Sequence, residues 1–133
     1  MSDRKWSFGH VLSYVYCSFA IYTDNEFDDT EKKEIFVALS EWLPDESRTS
    51  IYAILQEAFE WFIEDMKASD KENDIVLNHI FGFCPQLKEN LDQDACQAII
   101  NDLIRIGKAD GNYDEREQKW AEILSAELGV SAS

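Results

Sequence analysis

Two acidic stretches hold the residue types from which a hard-cation site is built. One is Asp24-Asn25-Glu26-Phe27-Asp28-Asp29-Thr30-Glu31; the other is Asp110-Gly111-Asn112-Tyr113-Asp114-Glu115-Arg116-Glu117. Each opens on Asp, carries an aromatic three residues later (Phe27, Tyr113) and a second Asp at the next position (Asp28, Asp114), and reaches Glu seven residues after the first Asp. A tight corner folds that first Asp toward the Glu. Carboxylates gathered with no basic partner repel, so either one takes a proton or a cation sits between them. Ca²⁺ and Mg²⁺ take such oxygens, with Asn112 and backbone carbonyls to complete the shell. The candidate metal ligands are therefore Asp24, Glu31, Asp110 and Glu117, and the expected cofactor is a divalent cation, Ca²⁺ or Mg²⁺.

Folding alone offers a second reading. Asp28 with Glu31, and Asp114 with Glu117, stand at capping-box spacing, and acids in a first helical turn are favoured by the helix dipole. This does not account for Asp24 and Asp110, which stand at the end of the preceding helix, where the dipole disfavours negative charge. Both readings stay open. A standard EF-hand loop does not fit: Glu115 stands where glycine is required and Ala121 where the bidentate Glu is required, with Asp29 and Ile35 failing likewise in the first stretch.

The corners need helices on either side, and the chain supplies them. Phe8, Val11, Leu12, Tyr14, Val15, Phe19, Ile21 and Tyr22 make the stretch from Trp6 to Thr23 apolar on nearly every face, as suits a central helix. Ser7, Ser13 and Ser18 can bond back to the preceding turn. A second helix runs from Asp28 to about Leu43, before Pro44. Ser47 or Thr49 caps a third to about Ala68, with Ile51, Ile54, Leu55, Ala58, Phe59, Phe62, Ile63 and Met66 on its stripe. Asn73 or Asp74 caps a fourth, limited by Gly82 and Pro85, with a short helical turn possible to Leu91. Asp92 or Asp94 caps a fifth, through Ile99, Leu103 and Ile106. The last runs from Asp114 to Leu128, and Gly129 stops it. The expected fold is all-α, a compact bundle of six to seven helices in one domain over residues 1–133. Two helix-corner-helix units, about 7–43 and 93–129 and 86 residues apart, are related by an internal pseudo-twofold.

At the second corner, Lys108-Ala109-Asp110-Gly111-Asn112-Tyr113-Asp114-Glu115-Arg116-Glu117, an apolar helix and Leu128-Gly129 follow in the order that resembles the TerB family of tellurite-resistance and stress-response proteins. Related domains occur in membrane-anchored J-domain co-chaperones. The family's recurring feature is an Ala-Asp-Gly corner with Glu seven residues after the Asp, usually met twice. Here the pairs are Asp24 with Glu31 and Asp110 with Glu117. The resemblance implies an all-helical fold with internal pseudo-symmetry, a divalent-metal site shared by both corners, and binding and assembly rather than catalysis. The first corner departs from the pattern with Thr23-Asp24-Asn25, and Asn tolerates the left-handed backbone that Gly would adopt.

Composition narrows the function classes. A formal net charge of −15 over 133 residues disfavours nucleic acid, whose phosphates need Lys and Arg. It favours cations and basic protein partners; the TerB resemblance extends the expected protein partners to membrane-associated ones. No segment reaches the ~20 apolar residues of a membrane span, and no secretory leader is evident. Direct membrane insertion is not expected, and the location read from this is cytoplasmic. Cys17, Cys84 and Cys96 form no disulfide or zinc spacing and read as small apolar residues. His10 and His79 match no zinc pattern. The aromatics Trp42, Phe59, Trp61, Phe62 and Trp120 read as core, and Glu57, Glu60, Glu64 and Asp65 as a solvated face. The leading expectation is a non-enzymatic TerB-like protein of tellurite or metal stress. The alternative is a metal-free acidic protein–protein interaction module, and an acid–base enzyme would need a cleft and a perturbed carboxyl.

Overall fold

A helix with no polar face is satisfied only where other helices surround it, and the first helix is placed so. In the computed structural model, which describes residues 5–24, 29–109 and 115–131, α1 (Phe8–Asp24) is followed by α2 (Asp29–Trp42), α3 (Arg48–Ala68), α4 (Ile75–Asn90), α5 (Gln93–Lys108) and α6 (Glu115–Leu128). The fold is an all-α bundle of six helices, with no strand among the described residues. Every residue from Leu12 to Ile21 is buried, and α1 touches all five other helices.

Polar groups on this buried helix are satisfied locally. Ser13 Oγ donates to the Gly9 carbonyl (2.7 Å) and Ser18 Oγ to that of Val15 (2.8 Å). Ser7 plays a different part. Its Oγ accepts from the His10 backbone N–H (3.2 Å), while its own N–H donates to His10 Nδ1 (3.3 Å). This is a capping box with imidazole in place of Glu. His10 Nε2 then meets Glu57 Oε1 on α3 at 2.7 Å, and the ring stacks on Trp61. Gly9 lets α1 approach α3: a Cβ there would lie 3.0 Å from Leu43 Cδ1 and 3.3 Å from Ile54 Cγ2.

The caps are decided by reach. Ser47, Asp74 and Asp92 each accept from the N–H three residues on (Ser50 3.1 Å, Leu77 3.1 Å, Ala95 2.8 Å) and so begin α3, α4 and α5. At the far end, Gly129 has φ +74°. Val130 N donates to the Ser125 carbonyl (2.9 Å) and Gly129 N to that of Ala126 (3.2 Å), the two bonds of a Schellman stop.

Three expectations need correction. Gly82 and Pro85 do not end α4, which runs unbroken to Asn90. Proline inside a helix costs about 3 kcal/mol. Yet the buried stripe Val76, Ile80, Phe83, Cys84, Leu87 continues across it, and each large apolar side chain buried returns about 1.5–3 kcal/mol. Asp65 is not on the solvated face of α3. It is buried, whereas Met66, expected on the apolar stripe, is exposed. Phe62 is fully buried, while Trp42, Phe59, Trp61 and Trp120 pack half-buried against the core.

Gly82 itself faces open space, with nothing within 4 Å of where a Cβ would stand. Gly82→Ala is therefore expected to stabilise the fold by about 0.5–1 kcal/mol through lower chain entropy in the unfolded state. The urea midpoint should rise at unchanged slope, and a fall would contradict this placement.

All three cysteines are buried and unpaired with one another. Burial pushes the Cys17 thiol up to about 12 and that of Cys84 up to about 11. At pH 8 neither should react with an aromatic disulfide reagent until denaturant is added, since the thiolate is the reactive form. Rapid modification of the folded protein at Cys17 or Cys84, located by peptide mapping, would contradict it.

Candidate functional site

The helices after the two corners begin alike. Glu31 is the third residue of α2 and Glu117 the third of α6. Behind them the buried residues run in step: Ile35, Ala38 and Leu39 on α2, and Ala121, Leu124 and Ser125 on α6. The inward stripe of each helix thus reaches back into the first turn, and its first member is a glutamate.

Glu31 and Glu117 are each only 1% exposed. Both carboxylate oxygens of Glu31 and Oε2 of Glu117 are closed to solvent. Their neighbours Asp29 and Glu115, in the same first turns, are exposed. This contrast separates two kinds of first-turn acid. The dipole and the capping box act on an acid that remains in water. Taking a carboxylate out of water is costly unless a proton, a charge partner or a metal compensates it. Capping accounts for where Glu31 and Glu117 stand in their helices, but not for their depth.

Of the other expected ligands, Asp24 closes α1, and its side chain lies outside the described residues, as does the whole of Asp110. The capping candidates Asp28 and Asp114 also lie outside them. α5 ends at Lys108, with Ala109 as its cap, so each corner joins the end of one helix to the start of the next. Among the described residues, no three His, Cys, Asp or Glu side chains gather as a metal-binding group.

Two buried polar clasps were not anticipated. Tyr14 and Tyr16 leave α1 toward different neighbours. Tyr14 donates its hydroxyl to Asp65 Oδ2 on α3 (2.7 Å), where His79 Nε2 of α4 lies 3.4 Å away. Tyr16 donates to Asp102 Oδ2 on α5 (2.7 Å), which also accepts from Trp42 Nε1 of α2 (2.7 Å). Arg105 closes the second clasp: it reaches Asp102 Oδ1 (3.4 Å), Glu34 (3.0 Å) and, through two nitrogens, both oxygens of Glu41 (3.2 and 3.3 Å). Burial raises the Asp102 carboxyl above the usual range, against the pull of Trp42, Tyr16 and Arg105. Burial, then the nearby Asp102 charge, raises the Tyr16 phenol well above its own. Tyr16 therefore stays a donor at ordinary pH.

A signal for both clasps was present. Two tyrosines on a helix without a polar face need partners for their hydroxyls, and Asp65 and Asp102 fall on the apolar stripes of their helices. These clasps tie elements together. Asp102 is surrounded by protein donors on α1, α2 and α5 and reads as a structural tether.

Among the described residues, no helix is long and apolar enough to cross a membrane. No curated protein and no solved structure matches the chain. A family model does: the one described as "Tellurite resistance protein TerB" matches residues 11–133, taking in α1 from Val11 onward, the other five helices, both corners and the two buried glutamates. On that match the chain belongs to the TerB family.

Proposed function

We propose that this TerB-family chain is a non-enzymatic protein of the tellurite or metal stress response. It holds a divalent cation, Ca²⁺ or Mg²⁺, through Asp24, Glu31, Asp110 and Glu117, and acts within a protein complex. The observation that carries this reading is the matched depth of Glu31 and Glu117, 86 residues apart and each 1% exposed at the third position of its helix. An internal repeat that keeps two carboxylates out of water at equivalent places is better suited to ligation than to capping. A bound cation would neutralise the gathered acids and draw the two corners together. The four residues are all hard oxygen donors, the chemistry such ions prefer over nitrogen or sulfur. An acidic surface of net charge −15 suits basic protein partners.

Titration calorimetry with Ca²⁺, Mg²⁺, Mn²⁺ and Zn²⁺ tests it. Wild type should bind Ca²⁺ or Mg²⁺ at a stoichiometry of one if the corners share a site. Asp110→Asn and Glu117→Gln should each weaken binding by at least about tenfold, or about 1.4 kcal/mol. No heat with any cation, or unchanged binding in the double variant, would leave the acidic interaction module in its place.

A further inference from the structure

Lys32, Lys33 and Arg48 gather at one place on this acidic chain. None of the three makes an ion pair with a described acid, although the chain has 27 Asp and Glu against 12 Lys and Arg. All three line one cleft of about 660 Å³ between α2 and the start of α3. Its floor and walls are Phe36, Tyr52 and the buried Leu55. Arg48 lies over the Phe36 ring, 5.8 Å from its centroid, and Tyr52 leaves 52% of its surface in solvent.

We infer that this cleft binds a small polyanion with a flat aromatic body, the chemistry of a nucleoside polyphosphate. The volume lies within the range of small-molecule sites. The exposed Tyr52 ring suits a stacked ring, and guanidinium and ammonium groups suit phosphate oxygens. Thr49 also lines the cleft, in the first turn of α3, where backbone N–H groups lack helical acceptors and the dipole favours negative charge. An anion of single charge would gain little against the field of the whole protein. Beyond about 8–10 Å that field is screened at physiological salt, so three local cations can outweigh it for a multiply charged ligand. Asp29 also lines the cleft and opposes the same ligand. A smaller hollow of about 490 Å³ continues from it along α2, shares Lys33, Phe36 and Arg48, and reaches Glu41.

This inference does not rest on the cation site, and a chelator separates the two. ATP is titrated into the full chain in excess EDTA, followed by calorimetry and by the tyrosine and amide NMR signals. Saturable binding is expected, with adenosine and inorganic triphosphate each weaker than ATP by about tenfold or more. Lys33→Ala/Arg48→Ala should weaken ATP by at least about tenfold and Asp29→Asn should tighten it severalfold. Both variants change exposed side chains, so their melting curves should match wild type. Raising NaCl from about 50 to about 500 mM should weaken binding. No ATP binding, or binding that the double variant leaves unchanged, overturns the inference. So does retention of a Glu-rich aromatic peptide on the same residues without ATP, which would make the cleft a protein-docking groove.

Discussion

Asp102→Ala will lower the stability of the fold by about 3–5 kcal/mol, the effect expected when one partner of a buried charged network is removed. The melting temperature should fall by roughly 10–20 °C for a domain of this size. The reason lies in what is left behind. The Tyr16 hydroxyl and Trp42 Nε1 lose the oxygen that both donate to at 2.7 Å, and Arg105 loses one of its three acids. Asp102 also joins α1, α2 and α5, so its loss loosens three helices together. Asp102→Asn keeps one acceptor oxygen and should be milder. Equal, small losses in both variants would show that the clasp adds little.

The same pair of proteins gives the pH dependence a sign. Burial raises the Asp102 carboxyl above its unfolded value. The native state therefore holds this proton more tightly than the unfolded chain does. Wild type should gain stability relative to Asp102→Asn as pH falls from above the raised value toward the ordinary carboxyl range near 4. Denaturant curves at matched pH values measure that difference. A difference that moved the opposite way would mean that hydrogen bonds and Arg105 outweigh burial.

Cation addition should have the next largest effect. At a concentration about a hundredfold above its dissociation constant, a ligand bound only by the native state adds about 2.7 kcal/mol. For this chain that is roughly 8–12 °C in melting temperature, and EDTA should reverse it. Glu31→Gln/Glu117→Gln should abolish the rise. A rise that persists in the double variant places the cation elsewhere.

Much of the architecture was legible because burial writes a period into a helix. The uniform apolarity of Phe8–Ile21 announced a central helix, and the spacing of Ile51, Leu55, Ala58 and Phe62 gave α3 its inward face. Local rules failed where packing overruled them. Pro85 carries the signal of a helix end, but Phe83, Cys84 and Leu87 belong to a stripe whose burial outweighs the lost backbone bond. Residue type alone places Asp65 in solvent, and it is buried. A carboxylate is buried when it has donors, and its donor Tyr14 lies 51 residues away in sequence. No local pattern contains that pairing.

The candidate site divides the same way. The sequence by itself determined the residue types at the corners, their spacing, the all-helical class of what flanks and separates them and the acidity of the whole chain, because these follow from residue type and from neighbours within a few turns. Only the tertiary structure decided that Glu31 and Glu117 are buried while Asp29 and Glu115 are not, and that Lys32, Lys33 and Arg48 share one cleft. Depth and pairing depend on how helices from distant parts of the chain meet, and a charge is costly or useful according to the surroundings they create.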